Sequence, residues 1–206
     1  MAGRNFVTRI IDVGFCLVAA PIAVPLCLIA MVLIRWDSPG PALFAQQRVG
    51  RHGRTFNMFK LRTMLANTGA VPSHQVGAAQ ITRIGRILRK LKLDELPQMV
   101  NVLNGSMALV GPRPCLPTQT ELIEERRVRG VLDYVPGITG PAQMQGIDMS
   151  EPTRLAEVDA AYFSRSTPGS DLRLLIGTAL GAGRGDAALK GTAGVAPPKA
   201  SRRGPD

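Results

Sequence analysis

From Val13 to Ile34 the chain runs for 22 residues without a charge, and 19 of those residues are apolar. A straight helix of that length covers about 33 Å, enough to cross a hydrocarbon core of about 30 Å. The run exceeds the h-region of a cleaved signal peptide, about 7–15 residues. A plain spanning helix fits the length. Two further features fit a helix that enters and returns to the same face. Pro21 and Pro25 stand one turn apart at mid-segment, where each removes a helical hydrogen bond and crowds the preceding turn. Both flanks are basic, with Arg4 and Arg9 before the run and Arg35, Arg48, Arg51 and Arg54 after it. Spanning helices concentrate positive charge on one side. We therefore expect a re-entrant membrane helix over residues 1-36, broken at Ala20-Pro21, with the freed backbone of the bend needing a polar partner or water.

Trp36 suits an interfacial anchor, and Ser38-Pro39-Gly40-Pro41 opens a loop. Arg48 to Arg54 reads as a basic turn leading into a short strand or helix over Phe56 to Arg62. From Ala66 to Ala79 the residues are small and polar, which predicts a loop. Helical spacing of Ile84, Ile87, Leu88 and Leu91 predicts one helix. Asp94, with Pro97 in the first turn, predicts the start of a second, whose apolar stripe is Leu96, Met99, Val100 and Leu103. A short strand fits Met107 to Val110, and helices fit Thr118 to Arg129, Arg154 to Ser164 and Asp171 to Leu180. Val135 to Pro141 is rich in turn residues. The fold class is then α+β and helix-rich: a small interfacial cytosolic globular domain over residues 37-180. A Gly-, Ala-, Pro- and Lys-rich tail over 181-206, net +3, is expected to be disordered.

Composition narrows the function. Outside the apolar run only about 40% of residues are apolar, low for a well-filled soluble core, so an ordinary soluble enzyme is disfavoured. Lys and Arg number 25 against 15 Asp and Glu, a net charge of +10, which points to an anionic partner. Six Phe, two Tyr and one Trp, without interleaved basic residues, argue against nucleic acid as that partner. Cys16, Cys27 and Cys115 show no metal or disulfide spacing and fit a reducing compartment. His52 and His74 are isolated and read as surface histidines.

The distribution of acids is more telling. Over the 83 residues from Ser38 to Thr120 the only carboxylates are Asp94 and Glu95, against 11 Lys or Arg. If those cations gather in space, the pair would be held ionised, ready to attack phosphorus or ligate a metal while the cations hold phosphates. A helix cap at Asp94 with a first-turn acid at Glu95 explains the pair equally well, and the two roles are compatible. Pro112-Arg113-Pro114 presents one guanidinium from a stiff backbone, suited to phosphate. Lys60, Arg62 and Arg89 are weaker candidates of the same kind. No glycine-rich phosphate loop is present.

Six segments occur in order: Phe59-Lys60-Leu61-Arg62-Thr63-Met64, Ile84-Gly85-Arg86-Ile87-Leu88-Arg89, Leu93-Asp94-Glu95-Leu96-Pro97-Gln98, Asn101-Val102-Leu103-Asn104-Gly105, Leu109-Val110-Gly111-Pro112-Arg113-Pro114 and Pro136-Gly137-Ile138-Thr139-Gly140. Together they resemble the bacterial sugar transferase family, the monotopic phosphoglycosyl transferases, over roughly Arg4 to Leu180. The resemblance implies transfer of sugar-1-phosphate from a UDP-sugar to polyprenol phosphate, such as undecaprenyl phosphate, at the cytoplasmic face of a bacterial inner membrane. It implies Asp94 as nucleophile and Glu95 as partner acid, with both near Mg²⁺, and Lys60, Arg62, Arg89 and Arg113 around substrate phosphates. It also favours the re-entrant helix in the lipid bilayer, although Ala20-Pro21 stands where the family often has Ser-Pro. The rival is a non-catalytic, membrane-anchored basic module binding anionic lipid or nucleic acid, which leaves the ordered segments and the acid pair unexplained.

Overall fold

The computed structural model describes residues 6–65 and 80–180. The loop expected over 66–79, which includes His74, and the expected tail from 181 lie outside the described residues.

Helix α1 (Phe6–Asp37) takes in the whole apolar run and stays helical through Ala20-Pro21, where the sequence predicts a break, with Pro21 and Pro25 inside it. Its buried residues are Thr8, Asp12, Cys16, Ala23, Ala30 and Ile34, a narrow face at spacings of four and seven. Leu17, Val18, Ile22, Leu28 and Ile29 point outward and are exposed, an apolar surface far too extensive for a water-facing helix. The buried face docks on the rest of the protein along both halves. Cys16 joins Met58, Val102, Met107 and Leu109 in one cluster, while Ala30 and Ile34 join Ala42, Leu61 and Leu88 in another. Near one end Arg9 donates to the carbonyls of Val102 and Leu103. At the other, Asp37 Oδ2 accepts from the Ile84 N–H at 3.1 Å.

Strands β1 (Leu43–Val49) and β2 (Thr55–Leu61) form an antiparallel hairpin in register from Leu43↔Leu61 to Val49↔Thr55. The sequence reading leaves β2 open as strand or helix and does not place β1. Helix α2 (Arg83–Leu91) is capped by Thr82, whose side chain accepts from the Gly85 N–H. A 3-10 turn, Leu93–Glu95, then leads to α3 (Gln98–Leu103). Strand β3 (Ala108–Val110) runs parallel to β4 (Gly137–Thr139), with α4 (Thr120–Val128) in the crossover between them. Helices α5 (Pro141–Met144), α6 (Pro152–Phe163) and α7 (Pro168–Ala179) complete the α+β, helix-rich domain.

Two close approaches explain glycines in the recurring segments. A Cβ on Gly85 would lie 2.1 Å from the Thr63 carbonyl oxygen, and one on Gly137 would lie 2.0 Å from the Gly111 nitrogen. Gly85 therefore lets α2 lie against the chain after β2, and Gly111 with Gly137 lets β3 and β4 meet.

Two sequence expectations are corrected here. Asp94 does not cap a helix: it lies inside the 3-10 turn, which has no side-chain cap, and α3 begins only at Gln98. The apolar stripe expected on α3 is also split, with Leu96 and Met99 half-buried and the other two residues exposed. Val100 is 53% and Leu103 42% exposed, while Gln98, Asn101 and Val102 are buried. Ile87 and Leu91 on α2 are likewise exposed. The helical period holds, but only part of it is inside: Met99 packs against the core beside Val102, and the polar Asn101 binds a strand.

Candidate active site

Lys92 ends α2 in the left-handed region at φ 57°, its N–H donating to the carbonyls of Arg89 and Leu88. The chain turns sharply there and delivers Asp94 and Glu95, both half-buried, between α2 and α3. Asn101 then fixes the neighbouring strand. Its Oδ1 accepts from the Phe59 N–H at 3.0 Å and its Nδ2 donates to the Asn57 carbonyl at 2.7 Å. With β2 docked on α3 in this way, Lys60 reaches the acid pair, and its Nζ lies 2.9 Å from Glu95 Oε1. Arg113 approaches the same oxygen from the segment after β3, Nη2 to Oε1 at 2.7 Å. Its Nη1 also donates to Gln143 Oε1 at 3.2 Å and to the Ile138 carbonyl at 3.4 Å.

The two acids are shifted in opposite directions. Burial disfavours the charge on Asp94 and the neighbouring Glu95 adds to this; Lys60, Arg89 and Arg113 oppose both, and the net effect is a pKa raised to about 6. Burial also works against ionised Glu95. There the charges and hydrogen bonds of Arg113 and Lys60 prevail and hold its carboxyl well below the ordinary carboxylate range. The sequence expectation that both acids are lowered is thus met by Glu95 and not by Asp94.

Arg89 lies close enough to act on Asp94 electrostatically, and its Nε donates to Thr63 Oγ1 at 2.9 Å. Lys60, Arg89, Arg113, Asp94 and Glu95 are therefore brought together. Arg62 is the exception and corrects the sequence reading. It is buried and donates to the Pro39 carbonyl at 2.7 Å, the Ser38 carbonyl at 2.7 Å and Ser38 Oγ at 2.9 Å. Strand alternation puts Lys60 and Arg62 on the same side, but Arg62 follows the end of β2 and ties down the loop after α1.

Arg48, which the sequence reading treats only as a flanking charge and the start of a basic turn, lies beside the site. Burial and the nearby Arg113 lower its pKa to about 10. It donates to Gln46 Oε1 at 2.6 Å and to the Pro114 carbonyl at 3.1 Å. Its position in the unforeseen β1 hid it. Asn101 lies in a quoted segment, and its amide between hydrophobic residues was the available signal for a buried clamp.

Among the described residues no three His, Cys, Asp or Glu side chains converge as a metal cage. Asp94 and Glu95 are the available acidic ligands, and Lys60 and Arg113 both engage one Glu95 oxygen. That donor set fits Mg²⁺, which takes one or two carboxylates and completes its shell with water and substrate phosphates.

The model of the family described as bacterial sugar transferase matches residues 3–184. The chain is 42% identical over 143 residues to a UDP-glucose:undecaprenyl-phosphate glucose-1-phosphate transferase of Caulobacter vibrioides, covering 68% of this chain and 54% of the relative. It is 39% identical over 143 residues to a UDP-N-acetylgalactosamine-undecaprenyl-phosphate N-acetylgalactosaminephosphotransferase of Aeromonas hydrophila, covering 68% of this chain and 34% of the relative. It is 35% identical over 187 residues to an exopolysaccharide production protein PSS of Rhizobium leguminosarum bv. phaseoli, covering 82% of this chain and 92% of the relative. The chain thus spans about half of the first relative and about a third of the second. With the match running from the start of α1 to beyond α7 and taking in every residue of the acid-pair cluster, the chain belongs to the bacterial sugar transferase family.

Proposed function

We propose that the protein transfers sugar-1-phosphate from a UDP-sugar to polyprenol phosphate through a covalent intermediate on Asp94. The observation that carries this reading is the Asp94-Glu95 pair set among Lys60, Arg89 and Arg113 in a domain docked against an outward-facing apolar helix.

The Asp94 carboxylate attacks the sugar-bearing phosphorus of the donor. A new O–P bond forms, the bond from that phosphorus to the bridging oxygen breaks, and UMP leaves with the electron pair. A phosphate oxygen of polyprenol phosphate then attacks the same phosphorus. The Asp94–phosphorus bond breaks, restoring the carboxylate and giving the polyprenyl-diphosphate sugar. Lys60, Arg89 and Arg113 counter the charge that spreads over the phosphoryl oxygens. Glu95 stays ionised and holds Lys60 and Arg113 in place. Mg²⁺ held by Asp94 and Glu95 would neutralise diphosphate charge.

The same reading places the domain on the cytoplasmic face of the bacterial inner membrane. Arg9 and Asp37 bind the same domain from the two ends of α1, which supports a helix whose ends share one side of the bilayer. The test is UMP release from a panel of UDP-sugars with undecaprenyl phosphate and Mg²⁺, beside Asp94→Asn. Lipid-dependent turnover with at least one donor, lost in the variant, is expected. UMP release that survives Asp94→Asn would reject the mechanism, and no release from any donor would return the basic membrane anchor to the front.

A further inference from the structure

The reach of Arg113 to Glu95 depends on where the backbone of Pro112-Arg113-Pro114 lies, and that backbone is gripped from α4. Arg126 Nη1 donates to the carbonyl of Arg113 itself at 2.8 Å. Its Nη2 donates to Asp159 Oδ2 on α6 at 2.9 Å. The pair is among the most enclosed charge pairs of the described residues, with side chains 3% and 1% exposed. Asp159 is further held by the backbone N–H of Ala142, at the start of the short helix that supplies Gln143 to Arg113.

A buried pair of this kind is a poor source of stability, because desolvating both charges offsets their attraction, and apolar replacements of similar volume are often neutral or better. Arg126 even leaves its buried Nε without an acceptor. What the guanidinium gives that an apolar side chain cannot is a charged, two-pronged link between α6 and one particular carbonyl. Proline restrains φ on both sides of Arg113, so holding that carbonyl restrains the backbone from which the Arg113 side chain reaches the acid pair. Arg48 holds the next carbonyl, that of Pro114, from β1.

We propose that Arg126, anchored by Asp159, is a positioning residue that aims Arg113 at the acid pair and the substrate phosphates. The proposal rests on the transferase reading above. It assigns no contact between Arg126 and substrate: the residue acts only through Arg113.

The test is a double-mutant cycle read in UMP release and in UDP binding. Arg126→Met leaves Asp159 unpaired and risks misfolding, so Arg126→Met/Asp159→Leu removes both charges while keeping the α4–α6 core filled. Leu155→Ala, a buried apolar truncation on α6, serves as the control that lowers stability without removing a hydrogen bond. The paired variant is expected to remain folded and membrane-bound, to lose at least tenfold in kcat/KM, and to cost less than twofold once Arg113 is Ala. Arg126→Lys, which retains the charge facing Asp159, should recover part of that loss. The control should multiply with Arg113→Ala. A paired variant that also multiplies with Arg113→Ala, or that keeps full activity, overturns the proposal. If the parent protein releases no UMP but binds UDP, the transferase reading fails and the cycle in UDP affinity still decides the role of Arg126. Failure of the parent to bind UDP as well overturns both.

Discussion

Asp94 and Glu95 are chain neighbours whose carboxyl groups are shifted in opposite directions. Asp94 has its pKa raised to about 6, chiefly by burial. Glu95 is kept ionised against burial by Arg113 and Lys60, which share its Oε1. Adjacent acids with diverging environments take different tasks. In the proposed reaction Asp94 is the group whose ionisation controls attack, and Glu95 is the permanent anion that keeps two cations in position.

The pH dependence follows from Asp94. Below about pH 6 the nucleophile is mostly protonated, so kcat/KM for the donor should climb about tenfold per pH unit and level off above that value. Stability runs the other way. A folded-state pKa above the ordinary 3.8 favours the protonated form on folding, so this contribution is fully present below that value and lost as pH rises through about 6. Asp94→Asn should therefore be inactive yet melt higher than the parent at pH 7.5, with the gap closing towards pH 4. A melting point at pH 7.5 lower than that of the parent would show that Asp94 is not held in a desolvated setting.

Glu95→Gln has the opposite sign. A depressed folded-state pKa gives stability above the ordinary 4.5 that is lost as pH falls below it. At pH 7.5 the amide leaves Lys60 and Arg113 with Asp94 as their nearby counter-charge in place of two carboxylates. A lower melting point and a fall in turnover of about 100-fold or more are expected, with the stability gap narrowing below about pH 4.5. Full turnover in this variant would remove Glu95 from the mechanism.

Much of this site was legible in the sequence because acids are so scarce there. Between Ser38 and Thr120 any arrangement of cations had only Asp94 and Glu95 to meet. Lys60, Arg89 and Arg113 could be proposed on charge alone. Arg62 could not be separated from Lys60, because strand alternation treats them alike and only the end of β2 divides them. The apolar stripes of α2 and α3 were found by their period, but a period does not say which side is inside. Of the α3 stripe, Val100 and Leu103 are exposed while Met99 packs against the core beside Val102. Strand β1 lacks a clean alternation, with Gln46, Gln47 and Arg48 in succession, and Arg48 was overlooked with it.

Asn101 tests how β2 is held. Its side chain bonds to Phe59 and Asn57 and donates to Ser106 Oγ at 3.1 Å, all from a nearly inaccessible position. Asn101→Leu leaves buried strand groups unpaired and should cost about 2–4 kcal/mol. Asn101→Asp keeps the acceptor for the Phe59 N–H but loses both donated bonds. It should retain some activity where Asn101→Leu retains little, since Lys60 follows Phe59 directly on the strand. Unaltered stability in thermal melts of Asn101→Leu would contradict the clamp.

The course of α1 can be tested by its two faces and its two ends. Ile22 is 70% exposed on the outward side, one residue after Pro21, so in a bilayer Ile22→Lys sets a charge midway along the apolar run. That placement costs about 2.5–3.5 kcal/mol at hydrocarbon depth and should shift protein from the membrane to the soluble fraction. The ends decide between bent and spanning forms. Arg9 and Asp37 both bind the domain that carries Asp94, so neither end can cross the bilayer without releasing α3 or α2. Single cysteines at Phe6 and Trp36, both exposed, should react with a membrane-impermeant maleimide from the same side of sealed vesicles, with the parent protein as background for its native cysteines. Labelling from opposite sides would make α1 a spanning helix and would require Arg9 to leave the carbonyls of Val102 and Leu103.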